Sequence, residues 1–195
     1  WITGEAARRK GIYLRRGSDA ILVGVETVLA DNPSLLARGK RGGVALRRVI
    51  LDSQARTPMD AQVVSDDHEQ HTTVVVLRGA PAERVAALRR RVNVLEAPAR
   101  NGRIDLRWLL KRLGTESVTS LLVEGGGEVN GSFLQGGLAQ RIAFFYAPKI
   151  LGGSRSRAAV GGEGVKRLED SLRLQEVAWE RLGSDLMLTA RVVKA

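Results

Sequence analysis

The sequence predicts an α/β domain in three layers, with a mainly parallel mixed sheet and a C-terminal antiparallel hairpin. Three observations predict it. Ala20-Ile21-Leu22-Val23-Gly24-Val25 is a nearly continuous apolar run, the pattern of a strand covered on both faces. Runs of this kind alternate with segments of helical spacing, the signature of parallel strands joined by crossover helices. The end of the chain changes character: Leu174 to Leu182 and Leu186 to Val193 alternate with period two around Gly183-Ser184-Asp185, which reads as a hairpin.

The elements follow in order. Thr3 is placed to cap a helix over Gly4 to Arg15, with Glu5 in its first turn, Arg15 and Arg16 in its last, and Gly17 beyond its end. After the first apolar strand, Glu26 to Ala30 reads as a short helical turn, stopped by Asp31-Asn32-Pro33 because the residue before proline is pushed out of the helical region. Ser34 to Arg38 runs extended, and Gly39 to Gly43 is a basic loop. Arg48 to Ser53 is a second strand with polar groups at its carboxyl end. Gln54 to His71 is polar and contains Pro58, so it is expected to be one long loop. Thr72 to Leu77 is a third strand. Pro81 opens a helix to about Arg91 that buries Val85 and Leu88, and Val92 to Leu95 is a fourth strand. Asp105 caps a helix over Leu106 to Leu113, closed by Gly114. Val118 to Val123 is a buried strand followed by a glycine turn and a helix, and Ile142 to Tyr146 a further strand. Ser154 to Gly164, rich in glycine and arginine, is expected to be a mobile loop. A single domain over residues 1–195 is expected, with no internal repeat. Trp1 is not a natural start, so the sequence is expected to be a portion of a longer chain.

Composition narrows the function. With 195 residues, 44% hydrophobic and 27% charged, the chain is an ordinary globular sequence. The absence of cysteine excludes disulfides and thiolate metal sites. No apolar run approaches membrane-spanning length, so no membrane partner is expected and the cytoplasm is the default. The net charge of +10, from 31 Lys+Arg against 21 Asp+Glu, favours an anionic partner. The basic residues are scattered and aromatics are only 4%, so the chain lacks a stacking platform, and phosphorylated small molecules are favoured over nucleic acid. His68 and His71 are the only histidines, one residue too close for a His-Glu-x-x-His zinc motif; a solvated loop is the better reading, and no metal is expected. Without cysteine, and with both histidines in one loop, no Ser–His or Cys–His nucleophile can be built.

The chemistry gathers on Leu121-Leu122-Val123-Glu124-Gly125-Gly126-Gly127-Glu128-Val129-Asn130-Gly131-Ser132. Glycines let the backbone turn sharply and approach a ligand, and the helix behind them presents unpaired N–H groups at its first turn. Phosphate or pyrophosphate is the natural guest. The motif is neither a Rossmann fingerprint, since Asn130 stands where the third glycine belongs, nor a Walker loop, since Gly-Lys-Ser/Thr is absent. A plain strand-to-helix turn is the competing reading. Glu124 tips the balance: a carboxylate at a buried strand end needs a partner, and it repels phosphate. It is therefore expected to face a second ligand carrying N–H or O–H groups. Thr27, Asp31, Asp52, Ser53 and Arg78 fall at neighbouring strand ends, where ligands of parallel sheets bind. Asp31 and Ser53 could equally serve only their local turns. Such a site, with basic anchors and no nucleophile, favours cofactor chemistry.

Trp1-Ile2-Thr3-Gly4 with Arg8-Arg9 and Arg15 resembles the start of the reductase domain of bacterial riboflavin biosynthesis. The likeness continues through Ala20-Ile21-Leu22-Val23-Gly24, Thr27-Val28-Leu29-Ala30-Asp31-Asn32-Pro33 and Arg38. It extends to Leu51-Asp52-Ser53, Val123-Glu124-Gly125-Gly126 with Gly131-Ser132, and Ala147-Pro148-Lys149-Ile150-Leu151-Gly152-Gly153. The resemblance implies a dihydrofolate-reductase-like fold, NADPH as cofactor, a homodimer, and reduction of 5-amino-6-(5-phosphoribosylamino)uracil to its ribitylamino form. It implies cofactor contacts from Trp1, Thr27, Asp31, Ser53, Gly126, Gly127, Glu128, Val129, Asn130, Gly131 and Ser132. It implies substrate contacts from Arg15, Leu35, Arg38 and Glu124, with Glu124 and Asp31 as the catalytic pair. The family's first strand would lie upstream of Trp1. A zinc deaminase domain precedes many relatives; its His-x-Glu and Pro-Cys-x-x-Cys signature is absent here, so no deaminase activity is expected of this chain. Two alternatives remain: a same-fold NADPH reductase with another small substrate, and a basic nucleic-acid-binding module.

Overall fold

The computed structural model describes residues 1–37, 46–153 and 156–193. The elements are α1 (Glu5–Arg16), β1 (Ala20–Gly24), α2 (Val25–Asp31), β2 (Arg47–Leu51), α3 (Gln62–Ser65), β3 (Thr72–Leu77), α4 (Ala82–Arg89), β4 (Asn93–Ala97), β5 (Ala99–Arg100), β6 (Arg103–Ile104), α5 (Leu106–Thr115), β7 (Leu121–Val123), α6 (Gly127–Gln135), β8 (Arg141–Tyr146), β9 (Arg173–Leu182) and β10 (Asp185–Val193). They form two compact units, Leu14–Gly126 and Trp1–Tyr13 with Gly127–Ala195.

The first unit is built on a five-stranded parallel sheet of order β4-β3-β2-β1-β7. Its central strands read as apolar runs because both faces are covered: every residue of β1 is buried, as are the first five of β3, whereas β7 (Leu121–Val123), expected to be buried, is half-buried, and β4 has exposed positions. Ile21, Val23, Ile50, Val74 and Val76 form the core with Val28, Val63, Val64, Val85 and Leu88 from the helices. Asp105 caps α5 as expected, its Oδ1 accepting from the N–H groups of Arg107 (2.9 Å) and Trp108 (3.1 Å).

The segment expected to be one long loop, Gln54 to His71, instead contains α3 and a 3-10 turn at Glu69–His71. The reason lies in Val63 and Val64, both fully buried. They fill the core, and Arg48 and Thr72 bind the Val63 carbonyl at 3.3 and 2.7 Å. Arg48 itself is fully buried and forks onto Asp66, with Nη1 2.6 Å from Oδ2 and Nη2 2.8 Å from Oδ1. Burial pushes the Asp66 carboxyl up, but the hydrogen bonds and charge of Arg48 outweigh this and hold it below the usual carboxylate range. The small β5–β6 ladder was also not expected from the sequence.

In the second unit, β9 and β10 form the expected hairpin, and β8 joins it antiparallel on the other side of β10. The antiparallel strands therefore make a three-stranded sheet of their own, order β8-β10-β9. No helix among the described residues is long and apolar enough to cross a membrane.

Candidate active site

Glu124 is fixed by the sheet. Its backbone N–H donates to the Leu22 carbonyl at 2.9 Å, which carries the β1–β7 pairing one residue past Val123, to the edge of the glycine turn. Its carboxylate meets Arg15 from the last turn of α1: Nε lies 2.9 Å from Oε1, and Nη2 2.6 Å from Oε2. Nη1 of Arg15 adds a 3.3 Å bond to the Leu36 carbonyl. The partner that a half-buried carboxylate requires is thus internal, a bidentate charge-assisted pair, where the sequence pointed to a second ligand. The pair is not sealed, with side chains 22% and 30% exposed. A carboxylate has roughly four acceptor sites, and Arg15 takes one on each oxygen, so Glu124 retains acceptors for an incoming N–H or O–H donor.

The other expected substrate contacts divide. Leu35 has a left-handed φ of 54° and is 2% exposed, its side chain part of the core. A ligand contact there falls to its backbone. Arg38 and the basic loop Gly39 to Gly43 lie outside the described residues.

Around the same strand ends, Thr27 sits half-buried in α2 and Asp31 is exposed at its last position. Among the described residues, Asp31 takes no part in the Arg15–Glu124 pair. The helix stops because Asn32 adopts the left-handed conformation, φ 40°; its side-chain oxygen accepts from the Gln62 N–H at 2.8 Å. Asparagine is among the few residues that enter this region readily. Ser53 is half-buried after β2, and its carbonyl accepts from the Leu77 N–H at 3.2 Å. Arg56, three residues on, pairs with Glu26 in the first turn of α2; the Glu26 hydrogen bond raises the Arg56 pKa.

The glycines separate into two kinds. A Cβ on Gly126 would meet nothing within 4 Å, so this position faces the open space that a ligand could use. On Gly127 it would collide with the Ala158 carbonyl, and on Gly131 with the Gly161 carbonyl. At those two positions the close approach that only glycine permits is made by the chain's own backbone. The Gly161 N–H donates to the Gly127 carbonyl (2.8 Å), the Gly162 N–H to Glu128 Oε1 (3.1 Å), and Asn130 Nδ2 to the Ala159 carbonyl (2.9 Å). Residues 158–162, expected within a mobile loop, are therefore pinned to α6. Ser132 donates its hydroxyl to the Glu128 carbonyl at 2.8 Å, and Val129 lies between these contacts. Trp1 is 95% exposed; the Arg8 guanidinium stacks over its ring at 5.0 Å, and its carbonyl accepts from Lys149 Nζ at 2.9 Å.

In the parallel-sheet unit, the open Gly126, the hydroxyls of Thr27 and Ser53, and the cation of Arg56 are donors and space that fit a dinucleotide phosphate. Among the described residues no cluster of His, Asp or Glu could hold a metal ion.

Comparison with known proteins identifies the family. Residues 1–188 match the family model described as the RibD C-terminal domain. The riboflavin biosynthesis protein RibD of Actinobacillus pleuropneumoniae is 39% identical over 194 residues, covering 99% of this chain and 51% of that protein. A Methanothermobacter thermautotrophicus protein, 2,5-diamino-6-ribosylamino-4(3H)-pyrimidinone 5′-phosphate reductase, is 42% identical, with 96% and 86% covered. Acinetobacter baumannii RibD superimposes with a TM-score of 0.82 at 28% identity, over 99% of this chain and 52% of that one. The chain thus spans about half the length of the RibD proteins it matches and most of the archaeal one. The chain shares its fold with the RibD structure and belongs to the RibD C-terminal domain family.

Proposed function

We propose that the chain catalyses the NADPH-dependent reduction of 5-amino-6-(5-phosphoribosylamino)uracil to 5-amino-6-(5-phosphoribitylamino)uracil. The observation that carries this reading is the half-open Arg15–Glu124 pair at the end of β7, immediately before the open turn at Gly126. An anion anchor and an acceptor for N–H or O–H groups stand side by side, as a phosphorylated aminopyrimidine requires.

When bound, the nicotinamide supplies a hydride for C1′ of the open, imine-like ribose. Trp1, Thr27, Asp31, Ser53, Gly126 and Gly127 to Ser132 are the residues that the family resemblance assigns to the cofactor. Arg15 and Arg38 hold the substrate phosphate. Glu124 accepts from a polar group of the substrate while Arg15 fixes its rotamer. Reduction of an imine is complete only when its nitrogen takes a proton; Asp31, exposed and ionisable, is assigned that transfer. Orientation supplies most of the acceleration, since the chain offers no nucleophile. The enzyme works as a homodimer in the cytoplasm. Support for a second copy comes from β9, exposed along all but its last residue, and from the ring pair of Tyr146 and Trp179, centroids 5.7 Å apart and 47% and 60% exposed.

A second reading keeps fold and cofactor and changes the ring: the archaeal relative is named for a substrate with an amino group where the uracil carries oxygen. A nucleic-acid role is weaker, because Arg47, Arg48 and Arg89, none of them assigned to the site, are each spent on carboxylates. The test is NADPH oxidation with both phosphoribosylamino-pyrimidines. Faster turnover of the uracil supports the first reading and of the diaminopyrimidinone the second; absence of turnover with either overturns both.

A further inference from the structure

Arg48 of β2 is fully buried, and its guanidinium joins three segments of the chain. Nη1 and Nη2 fork onto Asp66, and Nη2 also donates to the Val63 carbonyl. Nη1 donates as well to the Ser34 carbonyl, at 3.0 Å. Among the described residues, Nε has no partner. An ion pair is a poor way to fill a core, because apolar side chains of similar volume often stabilise it as well or better. A buried donor left unpaired adds to the cost. What the arrangement does achieve is a grip on the segment that follows α2. That segment is bent against its own preferences: Asn32 and Leu35 both adopt left-handed φ, 40° and 54°. Asparagine enters this region readily, whereas leucine does so only where the surroundings dictate it. The Leu35 side chain is locked in the core. The carbonyls before and after it are each held by an arginine, Ser34 by Arg48 and Leu36 by Nη1 of Arg15 at 3.3 Å. Gln62 closes the upstream end, its N–H 2.8 Å from Asn32 Oδ1 and its Nε2 2.8 Å from the Asn32 carbonyl oxygen.

We propose that Arg48 is a positioning residue for substrate binding: it fixes the Ser34 peptide so that the Leu35 N–H is presented to the substrate phosphate beside Arg15. The inference rests on the reading of the chain as a reductase of a phosphorylated pyrimidine. A trans peptide is planar, and its carbonyl and N–H point in opposite directions. The Ser34 carbonyl faces the Arg48 guanidinium, so the N–H of the same plane, that of Leu35, faces away from it. Among the described residues no acceptor takes that N–H. Arg15, which pairs with Glu124, lies against the same segment. An unpaired N–H and a guanidinium therefore meet on one stretch of backbone, and these are the ordinary donors to a phosphate. Without Arg48 the Ser34 peptide is free to rotate, Leu35 leaves its costly conformation, and the N–H turns away. Asp66 acts one step further back, by holding the Arg48 fork in its plane. Neither Arg48 nor Asp66 touches the ligand in this account.

The test is steady-state NADPH oxidation, with a melting curve on the same samples. The substrates are the phosphoribosylamino-pyrimidine that wild type turns over faster and the same compound without its phosphate. Arg48→Met fills the core but has no donor. It should raise KM for the phosphorylated substrate by roughly tenfold, the scale of one hydrogen bond to a charged group. Its kcat and its KM for NADPH should stay within about twofold of wild type. With the unphosphorylated compound, wild type and Arg48→Met should share one KM. A purely structural role would instead lower the amount of folded enzyme and leave every KM where it was. Arg48→Lys keeps the charge opposite Asp66 without the fork, and its KM should lie between the other two. Should Arg48→Met not fold, Arg48→Lys carries the test, with KM for the phosphorylated substrate about threefold above wild type. An unchanged KM in the folded variant, or a rise shared equally by the unphosphorylated compound, overturns the inference while leaving the reductase reading intact. Absence of turnover by wild type removes that reading and the inference with it.

Discussion

The parallel-sheet unit and the antiparallel unit settle their polar and apolar groups in opposite ways. In the first, the central strands are covered on both faces, and polar groups are paired within the unit: the buried Arg48 with Asp66, the buried Asp52 with Thr57, and the partly exposed Arg15 with Glu124. In the second, β9 is exposed along nearly its whole length and carries Val177 and Trp179 outward at 49% and 60% exposure. The contrast teaches where each unit gets its order. The first is stable through its own core and can hold strand-end side chains in fixed geometry. The second leaves apolar side chains exposed on β9, the face assigned to the proposed homodimer.

The sharpest break in that comparison is Arg48→Ala. It leaves Asp66 without its partner beside a buried void, and about 3–5 kcal/mol should be lost, read as a fall in the urea midpoint. Arg48→Met, which fills the space without a charge, should lose clearly less. A loss under about 1 kcal/mol for the alanine variant would show that the internal pairing does not matter. Next comes the glycine contrast. Gly131→Ala forces the 158–161 backbone off α6 and should cost about 1–3 kcal/mol, whereas Gly126→Ala should stay within about 0.5 kcal/mol. Equal effects at the two positions would contradict the open space at Gly126. Trp179→Lys should shift the chain from dimer to monomer in light scattering while leaving monomer stability within about 0.5 kcal/mol. An unchanged dimer would move the interface elsewhere.

The smallest effect concerns Asp19, at the amino end of β1. The Thr119 hydroxyl and the N–H groups of Ser120 and Thr119 lower its pKa from 3.8 to about 2. The folded pKa lies below the unfolded one, so the contribution is complete above about pH 4 and fades as pH falls through about 2. Asp19→Asn should flatten the acid limb of the stability profile in that window. An unaltered limb would show that these bonds do not bias the proton.

Much of the fold was legible because its signals are local. Ala20 to Gly24, Thr72 to Leu77 and the hairpin around Gly183-Ser184-Asp185 carry their structure in hydrophobic period and turn residues. The helix at Gln62–Ser65 was hidden, since a four-residue element in a polar stretch has no period to read; only the adjacent Val63 and Val64 hinted at burial. At the site, the burial argument identified that Glu124 needs a partner, and the family resemblance named both residues. Their pairing was not visible, because residues 15 and 124 are joined only through tertiary packing. Likewise, the glycines of the turn were read as room for a ligand, when two of them make room for residues 158–161, a contact across some thirty positions of chain.

The central claim is that Glu124, steadied by Arg15, receives the substrate. The direct measurement is steady-state NADPH oxidation by Glu124→Gln beside wild type, with a melting curve on the same samples. A half-exposed pair should be worth at most about 1 kcal/mol to the fold, while turnover should fall by roughly 10² or more. Unchanged turnover, or activity lost only in proportion to unfolded protein, would contradict it.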